Sequence, residues 1–313
     1  MKIAVLFPGQ GSQYLGMGMA FAQEDAACAA LLHKAEEISG QPLARLIADG
    51  PIEKLTENAV LQPAITAVNL ICWEMSKRLL PAADIHCFAG HSLGEYSALC
   101  AAGALSREDA FRLVSERGQL MEREGRANPG GMRAALGLPL EKIQEIIASY
   151  HGEGVVCAAN HNTAEQIVLS GNFAALDAVG EAISQAGGKV IALNVSCANH
   201  SPLLAGAVPE FAEALAAADF HRPNIPVYLN VTAAPESEPQ AIRAIMGRQI
   251  VSMVRWKESV EAMLASDVDT FIEVGPKTVL KGMMKKLIAK GQKVTILQVD
   301  SPDTLAVCRN LAA

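Results

Sequence analysis

A short apolar run, Ile85–Ala89, ends in Gly90-His91-Ser92-Leu93-Gly94 and leads into Glu95–Ala104, which has a helix-forming composition. A strand forced into a helix through so tight a turn limits the chain more than any other segment. In G-x-S-x-G the serine occupies the sharp turn, and the flanking glycines keep side chains from colliding. The hydroxyl is thereby exposed at the carboxyl end of a strand, ahead of a helix whose first N–H groups face developing negative charge. Ile3–Phe7 is a second strand of this kind, cut off by Pro8-Gly9-Gln10-Gly11 and followed by a helical pattern to about Ser39. From Gln62 onward, Ile65, Val68, Cys72, Met75 and Leu79 fall at helical spacing. Short strands alternating with helices predict an α/β fold, a hydrolase-like, mostly parallel sheet with helices on both faces.

The pattern changes near Ala127-Asn128-Pro129-Gly130-Gly131. From there the elements read strand (132–138), helix (139–150), strand (154–159), strand (166–170), helix (172–186) and strand (189–195). That βαββαβ order is the ferredoxin-like split unit, a complete small domain. The α/β alternation then resumes with helix-like 202–217 and strand-like Val227–Asn230 and Thr270–Val274. The expected organisation is a large catalytic domain (1–126 and 198–313) carrying an inserted small domain (127–197), and 313 residues suffice for both.

A formal net charge of −7 argues against general nucleic-acid binding, which needs a basic surface. Seven cysteines occur without a Cys-x-x-Cys pair, so neither a metal site nor a redox dithiol is expected, and a reduced cytoplasmic setting is. No apolar run approaches the ~20 residues of a membrane helix, and Ile3–Phe7 is shorter than a signal-peptide core.

A serine hydroxyl needs a base. Of seven histidines, His33 and His151 read as surface residues and His86 as a strand residue. His91 should be turned away from Ser92 by the elbow, and His161 and His221 sit in polar segments. His200, in Cys197-Ala198-Asn199-His200-Ser201, follows the small domain's last strand and is modestly preferred on spacing. A capping box, Ser106-Arg107-Glu108-Asp109, opens a helix whose apolar stripe is Ala110, Leu113, Val114, Leu120 and Met121. Arg117 lies on that stripe. A buried guanidinium needs a partner, either an internal carboxylate or a substrate carboxylate that it grips bidentately. Pro8–Gln13 lacks the remaining marks of a phosphate loop but could donate a backbone N–H to an oxyanion. Six lysines between Lys277 and Lys293 are either a solvated helix face or a dock for an acidic partner.

Together, Phe7-Pro8-Gly9-Gln10-Gly11-Ser12-Gln13, Gly90–Ala98, Arg117-Gly118, Asn160-x-Asn162, Asn199-His200-Ser201 and Glu273-Val274-Gly275-Pro276 resemble the malonyl-CoA:acyl carrier protein transacylase family, nearly end to end and in order. The resemblance implies a ping-pong transfer in which Ser92 takes malonyl from the coenzyme A thioester and passes it to the phosphopantetheine thiol of acyl carrier protein. Coenzyme A enters as substrate, and no separate cofactor is implied. His200 would be the general base, Gln10 and Leu93 the oxyanion hole, and Arg117 the partner of the malonyl carboxylate. The backbone carbonyl that orients the histidine falls on Gln249, and Asn160, Asn162 and Asn199 line the substrate site. Asn199 stands where relatives often carry Ser or Phe, Arg133 where alanine is common, and Asn160–Gln166 replaces the more usual Asn-x-Asn-Ser-Pro-Gly-Gln. A serine thioesterase on the same elbow, a non-catalytic carrier- or nucleotide-binding module, and service to polyketide or malonate metabolism are the alternatives.

Overall fold

The computed structural model describes residues 1–309; the last four positions of the chain, 310–313, lie outside the described residues. Ten strands form: β1 (Ile3–Phe7), β2 (Ile85–Gly90), β3 (Gly131–Leu136), β4 (Val156–Thr163), β5 (Gln166–Gly171), β6 (Lys189–Ala192), β7 (Val227–Leu229), β8 (Ala234–Glu236), β9 (Thr270–Val274) and β10 (Thr295–Val299). Six of them make one sheet in the order β10-β9-β1-β2-β7-β8. All pairs in it are parallel except β7–β8 at the edge.

Why β1 takes the centre is visible in its residues. All five are apolar and buried, so the strand can tolerate cover on both faces. Ile3, Val5 and Phe7 point to one side, where helices Ala26–Ser39, Asn58–Ser76 and Arg107–Ala127 pack. Ala4 and Leu6 point to the other, against Trp256, Val260, Leu280 and Met284 of helices Trp256–Ala265 and Val279–Leu287. The period-2 alternation of strand side chains thus gives a three-layer α/β/α arrangement.

The remaining four strands form an antiparallel sheet in the order β4-β5-β3-β6. Ala135, Ile167 and Leu169 pack on Ile143, Leu176, Val179 and Ile183 of helices Leu140–Ala148 and Phe173–Gln185. The opposite face turns Met132, Ala134 and Val168 toward a cavity shared with the six-stranded sheet. Arg133 is on the helix side and pairs with Asp177.

Several boundaries differ from the sequence expectation. The first long helical pattern is two helices, broken at Asp25, whose carboxylate caps the second by accepting from the Ala27 and Cys28 N–H groups. The apolar helix begins at Asn58, four residues before Gln62. β8 and β10 were not expected; both are short, partly exposed edge strands with weak apolar signals. Most consequential is β4, which continues through Asn160-His161-Asn162 instead of ending at 159. His161 is therefore on a strand, not in a loop, and Asn160 and Asn162 share the cavity-facing side. The Val254 carbonyl accepts the His161 N–H at 2.8 Å, and the Ala159 carbonyl accepts the Val254 N–H at 2.8 Å, tying β4 to the segment ahead of helix Trp256–Ala265. No helix among the described residues is long and apolar enough to cross a membrane.

Candidate active site

β1 and β2 run side by side with Phe7 opposite Gly90, so the Pro8–Gln10 turn packs directly on the serine elbow. There is no room for side chains where they touch. A Cβ on Gly90 would lie 2.0 Å from the Gly94 carbonyl carbon, one on Gly94 2.1 Å from the Phe7 oxygen, and one on Gly9 2.4 Å from the His91 oxygen. Ser92 itself has φ 51°, a left-handed backbone uncommon for a residue with a Cβ. Asn230, just past β7, holds this conformation: its Oδ1 accepts the Ser92 N–H at 2.6 Å and its Nδ2 donates to the Gly90 carbonyl at 2.7 Å.

His200 is the second left-handed residue of the site, at φ 58°. The preceding Ser196–Asn199 segment brings it back from the four-stranded sheet, and its Nε2 lies 2.6 Å from Ser92 Oγ. On the far side of the ring, Nδ1 is 3.0 Å from the Gln249 carbonyl, which can only accept. The proton therefore belongs on Nδ1, leaving the Nε2 lone pair for the serine hydroxyl. Burial, with Arg117 nearby, pushes the His200 pKa down to about 3, so the ring is neutral at physiological pH.

Arg117 is fully buried. Its Nη1 donates to Gln62 Oε1 at 2.9 Å and its Nη2 to Gln249 Oε1 at 3.0 Å; Nη2 also lies 3.4 Å from Ser92 Oγ. Nε has no partner, and no carboxylate among the described residues comes within ion-pair distance. Burial lowers the Arg117 pKa, as expected for a cation held without a contacting anion. The guanidinium is not part of the cavity lining and approaches it at Ser92 Oγ.

The cavity above has a volume of about 290 Å³. Its floor includes Gly9, Gln10, Ser92 and His200, and its walls include Asn160, Asn162, Asn199, Met132 and Met283. Among the described residues the Gln10 and Leu93 N–H groups donate to no other backbone group. His91 is turned from Ser92 as expected, and lines the cavity with Nε2 2.9 Å from Asn162 Oδ1. Asn199 Oδ1 accepts from the Cys197 thiol at 3.0 Å. Elsewhere, His161 pairs with Glu258 at 3.0 Å and His221 with Asp219 at 3.3 Å, both outside the site.

Buried polar residues complete the floor, and the sequence reading did not include them. Asn58 Oδ1 accepts from Gln10 Nε2 at 2.5 Å, while its Nδ2 donates to Ser196 Oγ at 2.9 Å, joining the first turn to the segment that carries His200. Asn58 and Gln62, four apart and so on one face of a mostly apolar helix, are the signal that points to both. Glu95, also fully buried, accepts the Asn230 N–H at 2.6 Å and bonds the Gln249 side-chain amide. Burial raises its pKa to about 7. Glu273 accepts the Leu280 and Lys281 N–H groups at 2.9 and 2.8 Å and so caps helix Val279–Leu287; burial raises the pKa of its carboxyl to about 7. That helix turns Val279, Leu280 and Met283 to the cavity and leaves Lys285 and Lys286 exposed.

A buried hydroxyl–imidazole pair beside free N–H donors and an anion-free guanidinium suits acyl transfer from a carboxylate-bearing donor. Known proteins share this frame. Residues 5–306 match the acyl transferase domain family. The chain is 38% identical over 306 residues to a malonyl CoA-acyl carrier protein transacylase of Bacillus subtilis (strain 168), covering 97% of this chain and 95% of that one. An acyl carrier protein S-malonyltransferase from Vibrio cholerae superposes with a TM-score of 0.92 at 36% identity, covering 98% of this chain and 99% of that one. A type II PKS acyl-carrier protein in complex with its malonyl-transacylase gives a TM-score of 0.94 at 32% identity, covering 99% of this chain and 100% of that one.

Proposed function

Because this chain belongs to the acyl transferase domain family, among the malonyl CoA-acyl carrier protein transacylases, we propose that it moves malonyl from coenzyme A to a carrier-protein thiol by a ping-pong route through an ester on Ser92. His200 Nε2 accepts the Ser92 proton as Oγ attacks the thioester carbonyl. The resulting oxyanion is held by the N–H groups of Gln10 and Leu93. Collapse of the tetrahedral intermediate breaks the C–S bond, and His200 returns the proton to the coenzyme A thiolate. The carrier thiol then repeats the sequence in reverse, releasing Ser92. The Gln249 carbonyl keeps the imidazole in its working tautomer throughout, in place of the acid of a three-residue triad. Asn160, Asn162 and Asn199 contact the donor along the cavity wall. The chemistry is complete with these side chains and needs no cofactor.

One observation carries the choice of acyl group: among the described residues the buried Arg117 bonds only neutral groups, two amides and, at 3.4 Å, the nucleophile's own hydroxyl. The malonyl carboxylate supplies the missing anion. A thioesterase has no use for such a cation. We divide the chain into a large domain (1–126 and 198–313) and an inserted small domain (127–197); the two separate sheets support this division. Seven free cysteines are in keeping with a cytoplasmic setting. The test is radiolabelled malonyl-CoA. Label should remain on Ser92 and pass to added carrier protein. Release as free malonate would make the chain a hydrolase, and failure to retain label would make it a binding module.

A further inference from the structure

Two buried ionisable side chains at this site, Arg117 and Glu95, are joined by a single amide. Gln249 Oε1 accepts from Arg117 Nη2 at 3.0 Å, while Gln249 Nε2 donates to the Ser92 carbonyl at 2.9 Å and to Glu95 Oε2. The other Glu95 oxygen accepts the Asn230 N–H at 2.6 Å, so the carboxylate is held at both ends. We infer that Glu95 is a positioning residue for Arg117: by claiming the nitrogen end of the Gln249 amide, it turns the oxygen end, and only that end, to the guanidinium.

The argument rests on donor and acceptor chemistry. A guanidinium can only donate, so an amide beside it is useful in one of its two orientations. Both Nε2 hydrogens of Gln249 face acceptors, which removes the ambiguity between its ends. A carboxylate in direct contact would hold Arg117 as well, but it would also supply the anion that the substrate must supply. The interposed amide transmits orientation from Glu95 while keeping its charge off the guanidinium. Arg117 is thus fixed yet still short of a counter-ion.

Glu95→Gln isolates this role. The glutamine can keep its oxygen on the Asn230 N–H, leaving the elbow's support intact, but it then sets a second NH₂ against Gln249 Nε2. Either the two NH₂ groups stay opposed or the Gln249 amide turns over, which sets its oxygen against the Ser92 carbonyl and its NH₂ against Arg117; both outcomes unseat the guanidinium. The inference rests on the proposed reading that Arg117 binds the malonyl carboxylate, and the experiment separates the two. Single-turnover acylation of Ser92 is measured with malonyl-CoA and with acetyl-CoA for the unaltered enzyme, Glu95→Gln, Gln249→Met and Arg117→Ala. Loss of a charge-assisted hydrogen bond corresponds to roughly 10-fold or more. The malonyl-to-acetyl rate ratio should therefore fall by that factor in both Glu95→Gln and Gln249→Met, the latter keeping the backbone carbonyl that faces His200. A merely structural defect would slow both thioesters alike, and that result overturns the inference while leaving Arg117's role standing. An unchanged ratio in Arg117→Ala overturns both.

Discussion

The floor of the cavity and its rim are built on opposite terms. At the floor and in the layer that supports it, Ser92, Arg117, Glu95, Asn230 and Gln249 are buried, and each is held by at least two named hydrogen bonds. On the rim, Leu193 is 37% exposed, and Lys285 and Lys286 are exposed on the helix that Glu273 caps. The floor fixes reacting atoms, where misplacement is costly. The rim presents exposed apolar and cationic side chains.

Substitutions graded by depth test this contrast. The largest loss is expected for His200→Ala, which removes the base: Ser92 acylation by malonyl-CoA should slow by roughly 10²–10⁴ in single-turnover measurements. Arg117→Ala comes next. Stranding a buried charge costs about 3–5 kcal/mol, so malonyl acylation should lose that much barrier stabilisation while acetyl acylation loses little; equal effects would place Arg117 outside carboxylate binding. Gly94→Ala forces a Cβ to 2.1 Å from the Phe7 oxygen and should lower unfolding free energy by about 1–3 kcal/mol in urea titration. Rim changes should be milder. Lys285→Glu with Lys286→Glu should raise the KM for carrier protein by roughly 10-fold or less, most at low salt, since exposed charges contribute little each. Acylation by malonyl-CoA should be untouched, and a large loss there would join rim to floor.

The smallest expected effect is on the pH profile. His200 is held to about 3 by burial, so it stays in the neutral, proton-accepting form above that pH. Acylation should then show no acid limb near the ordinary imidazole pKa as pH falls from 8 to 5. A limb at about 6.5 would mean that the ring is more solvated than its surroundings indicate.

The elbow was legible because its constraint is local: a strand, two glycines and a helix meet within ten residues, and the steric need is written in the residue types. Arg117 was legible from helical spacing alone. Pairing His200 with Ser92 depended on resemblance, since 108 residues separate them and seven histidines compete. His91 is turned from Ser92 as the elbow predicts, but what it meets instead, Asn162 on the facing strand, could not be read from the turn. Asn58, Gln62, Glu95 and Asn230 were passed over, as buried polar residues look like ordinary surface residues until their partners are known.

Residue order by itself determined the alternation of strands and helices, the nucleophile's turn and the presence of a cation on an apolar stripe, because each follows from contacts within a few residues. Only the tertiary structure decided which base meets the hydroxyl, that neutral amides and not an acid surround the guanidinium, and that β4 carries its asparagines to the cavity. Those outcomes depend on groups far apart in the chain, and hydrogen-bond partners at such separations are chosen by packing, not by sequence proximity.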